Sequence, residues 1–394
     1  MMQMLSLKKV SVSKRRSSRW RMTCGITKQH GNNNKPEYLC SGFFIPKLMV
    51  NVDYIVVGGG YAGLFFAHQL IKNKKTFVIF TGDRKSASRI SAGIVNPVVL
   101  KKFTTFWLAK EQIEALHRTL NEISGYTREN YLIRENIQRI FHDENEKDLW
   151  LQKSESEELN PYLNPYFKQL DVILNPFGTG TVDQSARLDV NAFFKGLNEY
   201  LSAHDHVHEE AFDYTALQDH NYRKFTFKHI VFCEGMGVRK NPFFAEIPVI
   251  PNKGHHLKVS LSERLHHQFT LKKKHFLFPL DEKFHYYGGT YDPNERPDEV
   301  DAHATQQLRD GLSEFYPHAF EVEEVNFALR PTVKDRRPIL GSHPRQPNYY
   351  VFNGLGARGI LNGCYFSEIL FEHIEHGKPL IPEVDLNRFT VKHL

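Results

Sequence analysis

The chain has 394 residues, 41% of them hydrophobic and 24% charged, which is the composition of a folded globular protein with room for two domains. Its formal net charge of +6 is distributed unevenly, because residues 1–48 hold ten Lys and Arg but one acid and so contribute +9. The remaining chain carries about −3, which argues against a nucleic-acid-binding surface on its folded part. None of the four cysteines forms a CxxC pair. Free thiols favour a reducing compartment, and we predict a cytoplasmic protein.

Residues 1–48 lack the hydrophobic periodicity of a packed segment, as in SVSKRRSSRWR. They are basic, contain Ser and are poor in acid, which is typical of a targeting segment. The alternative is an artefactual extension upstream of a start at Met49. We favour this alternative because such domains usually begin just before their first strand. The apolar run at 43–45 is too short for a signal peptide, and we expect no membrane span.

The first strong motif is VDYIVVGGGYAG at residues 52–63. Residues 54–57 indicate a buried parallel strand, because they are uncharged and mainly β-branched. Gly58 allows the tight turn after this strand, Gly60 leaves room for a pyrophosphate, and Gly63 lets the next helix pack closely. The motif therefore predicts a dinucleotide site, and the alternative is an ordinary glycine-rich turn between a strand and a helix.

A predicted helix at 64–71 and a second predicted strand at 76–80 complete a βαβ unit after the glycines. The free N–H groups at the start of this helix are expected to face the phosphate. An acidic residue normally follows the second strand and binds the ribose hydroxyls, but that position holds Thr81. Asp83, two residues further on, is the alternative ribose ligand.

Hydrophobic periodicity predicts most of the remaining elements. Residues 143–158 are acidic, and we expect them to be exposed. A helix is predicted to begin after Asp189, a natural N-cap, and another to span 302–316. An amphipathic helix has the apolar face Phe106, Ala109, Ile113, Leu116, Leu120 and Ile123. Strands are predicted at 228–233, 256–260, 275–279 and 284–290, the last two in an antiparallel sheet.

A second Gly-rich junction lies near the end of the sequence. A short predicted strand at 349–352 leads into NGLGARGILNG at 353–363, and a predicted helix at 364–374 follows. A nicotinamide dehydrogenase does not need two such junctions. A flavin enzyme uses one for the pyrophosphate, and the N-terminus of the second helix can stabilise charge on the reduced ring. The pair of junctions therefore predicts a flavin.

Seven blocks of sequence resemble the FAD-dependent oxidoreductases of the D-amino-acid oxidase and glycine oxidase type. In chain order they are VDYIVVGGGYAG, SAGIVNP, VFCEGMG, PNKGHHLKV, FLFPLDEKFHYYGGTYDP, LRPTVKDRRPILG and NGLGARGI. Their joint order is more specific than the first motif, and the resemblance covers most of residues 50–376.

The resemblance implies an α/β fold with FAD as cofactor and two domains. The Rossmann-like FAD-binding domain is expected to be discontinuous, over 49–110, 180–240 and 326–394. An α+β substrate domain is expected over 111–179 and 241–325, with an antiparallel sheet that covers the flavin.

Residues 77–99 also resemble the flavin half of a bacterial tRNA-modifying enzyme that oxidises carboxymethylaminomethyl-uridine. That branch likewise lacks the acid after the second strand and has an Asp two residues later. The methyltransferase half is not in this sequence, and a basic surface is not indicated. We therefore place a small-molecule substrate first. Oxidation of a tRNA wobble uridine and a non-catalytic FAD-binding role are the alternatives.

The motifs and the resemblance together predict the residues that bind FAD. Cys233 among them is expected to be a small buried residue and not a nucleophile. The predicted residues are Gly58, Gly60, Tyr61, Ala62, Gly63, Thr81, Ser91, Ala92, Gly93, Val207, Cys233, Gly235, Gly354, Leu355, Gly356, Ala357, Gly359 and Ile360.

Arg330 and Arg358 are predicted to face the substrate. In similar glycine and sarcosine oxidases the Arg of the LRP block points at the substrate, where its fork binds a carboxylate through two charge-assisted hydrogen bonds. The alternative for Arg330 is a structural pair with Asp335 or another acid. Arg358 matches a second Arg near the flavin, and its alternative role is to hold the start of the helix.

Phe276 and Tyr287 are predicted to lie in the roof over the flavin, with His275 and Tyr286 beside them. In that position they would exclude water and orient the amine, and the alternative is plain packing within the sheet.

The stretch HDHVHEE at 204–210 is predicted to place His204, His206 and His208 on one face of a strand. We favour a solvated edge over a metal site for them. In similar flavoproteins a strand in this region lies on the adenine side, which makes Val207 the candidate contact.

The resemblance implies oxidation of the C–N bond of a small amino acid or N-substituted glycine. The amine is expected to bind neutral and to transfer a hydride to flavin N5, which leaves an imine for hydrolysis. Orientation by the protein supplies the catalysis, and no general base is predicted. Dioxygen or another electron acceptor is expected to reoxidise the flavin.

Overall fold

Two large β-sheets form the framework of the chain. The computed structural model describes residues 49–82, 86–265, 269–294 and 299–389. The predictions made for residues 1–48 and for Asp83 lie outside these residues. Within them, no helix is both long enough and apolar enough to cross a membrane.

The strands and helices of the described residues have the following bounds. The strands are β1 (Val50–Val57), β2 (Phe77–Phe80), β3 (Ile94–Val95), β4 (Val98–Val99), β5 (Thr104–Thr105), β6 (Leu132–Ile133), β7 (Ile137–Ile140), β8 (Leu163–Lys168), β9 (Thr179–Val182), β10 (Ala186–Leu188), β11 (Val207–His208), β12 (Leu217–Gln218), β13 (Asn221–Tyr222), β14 (Phe225–Phe232), β15 (Ile250–Leu261), β16 (Thr270–Lys272), β17 (Phe276–Pro279), β18 (Phe284–Gly288), β19 (Phe320–Thr332), β20 (Ile339–Ser342) and β21 (Tyr349–Asn353). The helices are α1 (Tyr61–Lys72), α2 (Ala109–Thr127), α3 (Glu144–Ser154), α4 (Val190–Ala203), α5 (Ala302–Ser313) and α6 (Gly359–His376).

The first sheet has a parallel centre in the order β11-β2-β1-β14-β21, with β13, β12 and β20 added antiparallel. β1 is buried on both faces. Tyr54 and Val56 belong to one core with α1 and α6, whereas Ile55 and Val57 belong to the core on the opposite face. This burial explains why the strand reads as a continuous apolar run. The Rossmann-like fold that the family resemblance implies is confirmed.

The second sheet has the order β19-β15-β18-β17-β16-β7-β9-β8 and is antiparallel except at the parallel pair β16–β7. Its outer face packs under α5, where Leu257, Leu277 and Tyr287 share a core with Leu308 and Leu312. Because side chains alternate along each strand, the residues adjacent in sequence to Leu257, Leu277 and Tyr287 point to the opposite, inner face of the sheet. The predicted antiparallel sheet, including the β17–β18 pair, is confirmed.

Several predicted helix boundaries differ from the structure because glycines and acidic residues do not contribute to the hydrophobic periodicity used to predict helices. α1 begins at Tyr61 and α6 at Gly359, each earlier than the periodicity indicated. The acidic stretch contains α3, whose N-cap Asp143 accepts a hydrogen bond from the Glu146 backbone N–H and whose Trp150 is fully buried. The helix expected after Asp189 is confirmed as α4.

Packing suggests a different division of the chain from the predicted domains. α2 packs against α6, and its Ile113, Leu116 and Leu120 lie in the same core as α1. β9 and all of β19 belong to the second sheet. We therefore propose that 111–127 belongs with the FAD-binding domain, and that 180–182 and 326–332 belong with the substrate domain.

The three histidines at 204–208 do not share a strand face, so that prediction is wrong. His204 caps the C-terminus of α4, and its Nδ1 lies 2.8 Å from the Tyr200 carbonyl oxygen. His206 stacks on Phe77 with ring centroids 4.0 Å apart, and only His208 is part of β11. Nowhere in the described parts of the chain do three His, Cys, Asp or Glu side chains form a group that could hold a metal.

Candidate active site

A cavity of about 1270 Å³ lies between the carboxyl ends of β1 and β14 and the inner face of the second sheet. Ligands of open α/β sheets bind at this end of the strands. Its volume exceeds the usual range of about 300–1,000 Å³ for small-molecule sites, so that a dinucleotide and a small substrate have room together. The two Gly-rich junctions meet at its floor.

The first glycine loop has the geometry of a pyrophosphate cradle. Gly58 has φ +116°, and a Cβ there would lie 2.3 Å from the Cys233 carbonyl oxygen. A Cβ on Gly63 would lie 1.8 Å from the Gly58 carbonyl oxygen, which explains the close packing of α1 on β1. Gly60 is the extended N-cap of α1 and has no side-chain cap. The Tyr61 N–H donates to Ser88 Oγ at 3.2 Å, and the next N–H groups of the first turn are available to an anion. These features fit the phosphates of FAD.

The second loop closes the cavity beside the first. Gly354 and Gly356 both have positive φ, and Leu355, Gly356, Ala357 and Ile360 line the cavity. Gly354 does not line it, because a Cβ at this glycine would lie 2.6 Å from the Val333 side chain. A Cβ on Gly359 would lie 3.0 Å from the Tyr61 ring, so the starts of α1 and α6 approach closely.

The segment before β3 forms a third side of the cavity. Ser91, Ala92 and Gly93 line it, and the Tyr61 hydroxyl lies 2.7 Å from Ser91 Oγ. Thr81 also lines the cavity and lies against Gly59. Thr81 is neutral, so it offers a hydroxyl and backbone groups to the ribose and not a carboxylate.

Three further predicted cofactor residues lie around the end of β14 and on β11. Cys233 and Gly235 line the cavity, and burial raises the pKa of the Cys233 thiol, which fits an unreactive residue. Val207 does not line the cavity, because its side chain packs on the core beneath α1. Gly63 likewise lies behind the loop and not at its surface.

Arg330 reaches into the cavity from β19. Its Nη1 donates to Asn252 Oδ1 at 3.1 Å and to the Thr290 carbonyl at 3.0 Å, and its guanidinium lies 4.6 Å from the Tyr291 ring centroid. Gly254 lies directly below, and a Cβ there would be 2.2 Å from Nη2. Among the described residues no carboxylate pairs with Arg330, and Asp335 instead pairs with Arg388 at 3.0 Å.

Arg358 lines the cavity at the start of α6. Its guanidinium lies 4.6 Å from the Phe106 ring centroid, and burial lowers its pKa. In the described chain it too has no carboxylate partner. Two arginines without acids therefore border one cavity, which gives it a positive potential.

The roof of the cavity contains Tyr286 and not the predicted Tyr287. Tyr287 points to the opposite face of β18, where it is fully buried under α5. Tyr286 lines the cavity and stacks on His256 with ring centroids 4.5 Å apart. The alternation of side chains along a strand separates the two tyrosines. Phe276 lines the cavity.

Several titratable residues at the cavity were not among the predicted site residues, and His256, Glu234 and Lys272 are three of them. Burial, followed by the charge of Arg330, lowers the pKa of His256 to about 4, so this imidazole is neutral at physiological pH. Burial raises the pKa of Glu234, whose carboxyl accepts hydrogen bonds from Tyr214 and Asn241. Lys272 lines the far wall. The alternation of PNKGHHLKV would have placed His256 on the same face as Gly254.

A dinucleotide cradle, an antiparallel roof that carries Arg330, and a second arginine at the start of α6 define the site of a flavin-dependent oxidoreductase. Solved structures share the fold. Glycine oxidase from Geobacillus kaustophilus is 19% identical, with a TM-score of 0.70 over 87% of this chain and 99% of that one. Iminodiacetate oxidase from Chelativorans sp. BNC1 is 17% identical, with a TM-score of 0.69 over 85% and 98%. L-proline dehydrogenase from P. horikoshii is 13% identical, with a TM-score of 0.69 over 87% and 98%.

The match to a family of sequences identifies the protein family, which the shared fold alone does not. Residues 53–373 match the family described as FAD dependent oxidoreductase, and the chain belongs to this family. Its cofactor is FAD, which agrees with the flavin predicted from the two glycine junctions and with the FAD that the resemblance implies. The residues that border the cradle are those that would hold the cofactor.

Proposed function

We propose that this protein oxidises the C–N bond next to a carboxylate in a small amino acid or an N-substituted glycine. One observation carries the proposal. Arg330 is a cation without an acidic partner among the described residues, and it is fixed by Asn252 and the Thr290 carbonyl in the cavity that also holds the glycine loops. A guanidinium held in this way is built to receive a planar anion such as a carboxylate.

The protein's own contribution is to bind and orient this substrate. FAD, when bound, accepts the hydride. Arg330 holds the carboxylate, which fixes the position of the neighbouring carbon, and such orientation is worth several kcal/mol, up to about 7–11. Phe276 and Tyr286 cover the site and exclude water, while the neutral His256 beside Tyr286 does not repel an amine. Dioxygen or another acceptor completes the cycle.

Anaerobic bleaching of the flavin tests the proposal. The purified holoprotein is mixed without oxygen with a panel of amino acids and N-substituted glycines, and the visible flavin absorption is followed. At least one member of the panel is expected to bleach the flavin, and its amide is expected to react poorly. A flavin that stays oxidised with every member, yet is reduced by dithionite, would contradict the proposal.

The two roof tyrosines provide a matched pair of variants. A Cβ built on Gly289 would lie 3.5 Å from the Tyr286 hydroxyl and 3.0 Å from Arg330 Nη2. The hydroxyl and the guanidinium are therefore both close to Gly289. Tyr286→Phe is therefore expected to slow flavin reduction by about tenfold, the value of one hydrogen bond of about 1.4 kcal/mol. Tyr287→Phe lies on the other face and is expected to leave the rate unchanged. Equal effects of the two variants in stopped-flow reduction would contradict this assignment.

A further inference from the structure

Lys272 is a cation on the cavity wall that the proposed reaction does not use. Its Nζ donates to the Lys274 carbonyl and lies 4.5 Å from the centroid of the Phe276 ring. Arg139 lies near it on the neighbouring strand β7, and within the described residues no carboxylate pairs with Lys272. The Lys272 side chain is half-buried, and an ammonium partly removed from water without a counter-ion is costly unless an anion reaches it.

The register of the second sheet relates Lys272 to Arg330. A single row crosses five strands through Lys272, Phe276, Gly288, His256 and Asn326. Lys272 enters from the β16 side and ends above Phe276 of β17. Arg330 enters from the β19 side and ends beside Gly289, which follows β18.

The two cations therefore approach each other over neighbouring strands, whose backbones lie about 4.8 Å apart. Phe276 and Tyr286 form the surface between them. Each cation lacks an acidic partner in the described chain. Two anionic groups of one small molecule, separated by a few saturated bonds, match this arrangement.

We propose that the substrate carries a second acidic group, and that Lys272 binds this group while Arg330 binds the carboxylate next to the C–N bond. The inference rests on the proposed function and narrows its substrate class to dicarboxylic amines, such as an amino acid with an acidic side chain or an N-(carboxyalkyl) amino acid. A monocarboxylic amine engages Arg330 alone. Lys272 is a specificity residue in this scheme and takes no part in the hydride transfer.

The pH dependence of binding follows from the same site. Burial, followed by the charge of Arg139, lowers the pKa of Lys272 to about 7. A bound carboxylate favours the charged form and raises this pKa again, so affinity is full below pH 7 and falls as the pH rises through it. The charged or titratable groups that face Lys272 are Arg139 with its partner Glu146, Lys274 with its partner Glu314, and His275.

The experiment measures binding of unreactive acids, so it does not depend on turnover. Succinate and glutarate are titrated into the oxidised holoprotein, and the shift of the flavin absorption bands gives Kd. Butyrate and pentanoate, of the same chain lengths with one carboxylate, serve as the reference. We expect at least one dicarboxylate to bind about tenfold or more tightly than its reference at pH 6.5, with the preference shrinking towards pH 8.5.

Lys272→Met should remove the preference and its pH dependence without changing the affinity for the monocarboxylates. Lys272→Arg retains a cation and is expected to keep a preference that no longer changes over this pH range. Lys283→Met removes the same charge at an exposed turn outside the cavity and is expected to behave as wild type. The FAD content of each variant is measured by absorbance to confirm that the cofactor site is intact.

Equal affinities for dicarboxylates and monocarboxylates in the wild type would overturn the inference, as would a preference that survives Lys272→Met. Loss of FAD from Lys272→Met with the preference intact in the residual holoprotein would also overturn it, because Lys272 would then serve the cofactor. Failure of the proposed function looks different. In that case no amine bleaches the flavin, whatever the dicarboxylates do.

Discussion

Arg330→Leu is expected to leave the FAD content and spectrum intact and to lower the second-order constant for flavin reduction by about 30-fold to several thousand-fold. The glycine loops are expected to hold the cofactor, whereas Arg330 lies on β19 of the roof. Truncating one partner of a desolvated charged pair costs about 2–5 kcal/mol, which sets this range. Anaerobic stopped-flow reduction with the amine that bleaches wild type measures the effect.

Two controls separate a substrate clamp from a structural arginine. Arg330→Lys should restore only part of the rate, because an ammonium cannot form the two parallel hydrogen bonds of the guanidinium fork. The amide of the substrate lacks the carboxylate, so it should react poorly with wild type and be nearly indifferent to the substitution. Equal losses for acid and amide would mean that Arg330 supports the sheet through Asn252 and Thr290, as the contacts of Nη1 would also allow.

Gly60→Val is expected to yield a folded but colourless protein. A Cβ on Gly60 would lie 3.0 Å from Ser88 Oγ, and the two methyl groups of Val would extend into the cavity in front of the first turn of α1. Loss of charge-assisted hydrogen bonds from these N–H groups to phosphate, at about 1.5–3 kcal/mol each, predicts at least a 100-fold rise in the Kd for FAD, or about 2.7 kcal/mol.

Gly125→Val is the matched control for this substitution. Gly125 lies on the exposed side of α2, where a Cβ would meet nothing within 4 Å. Its substitution should leave FAD affinity unchanged in a titration of the apoprotein followed by flavin fluorescence. Yellow Gly60→Val protein with wild-type affinity would show that the pyrophosphate does not lie against this loop.

The sequence by itself determined the nucleotide-binding half of the protein. A βαβ unit is local in the chain, and its glycines are required by short-range contacts, such as the approach of Gly63 to the Gly58 carbonyl. The same holds for the second junction before α6. FAD and the family followed from these two junctions and from the order of the remaining blocks, and the match over residues 53–373 confirmed them.

The sequence also determined the existence of the antiparallel sheet, but it did not determine which side chains face the cavity. Tyr286 and Tyr287 are adjacent, equally aromatic and both on β18, so their composition does not distinguish the roof from the core. The packing of α5 on one face of the sheet decides between them, and that contact joins segments distant in the chain. A shift of one residue exchanges the two faces of a strand.

The tertiary structure alone decided the electrostatics of the site. No motif indicates that Asp335 pairs with Arg388, which leaves Arg330 without an acid in the described chain. Nor does the sequence bring Lys272 to the Phe276 ring, since their relation depends on the pairing of β16 with β17. Glycine loops are specified by backbone geometry within a few residues, whereas the charge of a cavity is the sum of side chains from several strands. Local sequence motifs therefore predict the cofactor, whereas the substrate site beside it is formed only when the two sheets assemble.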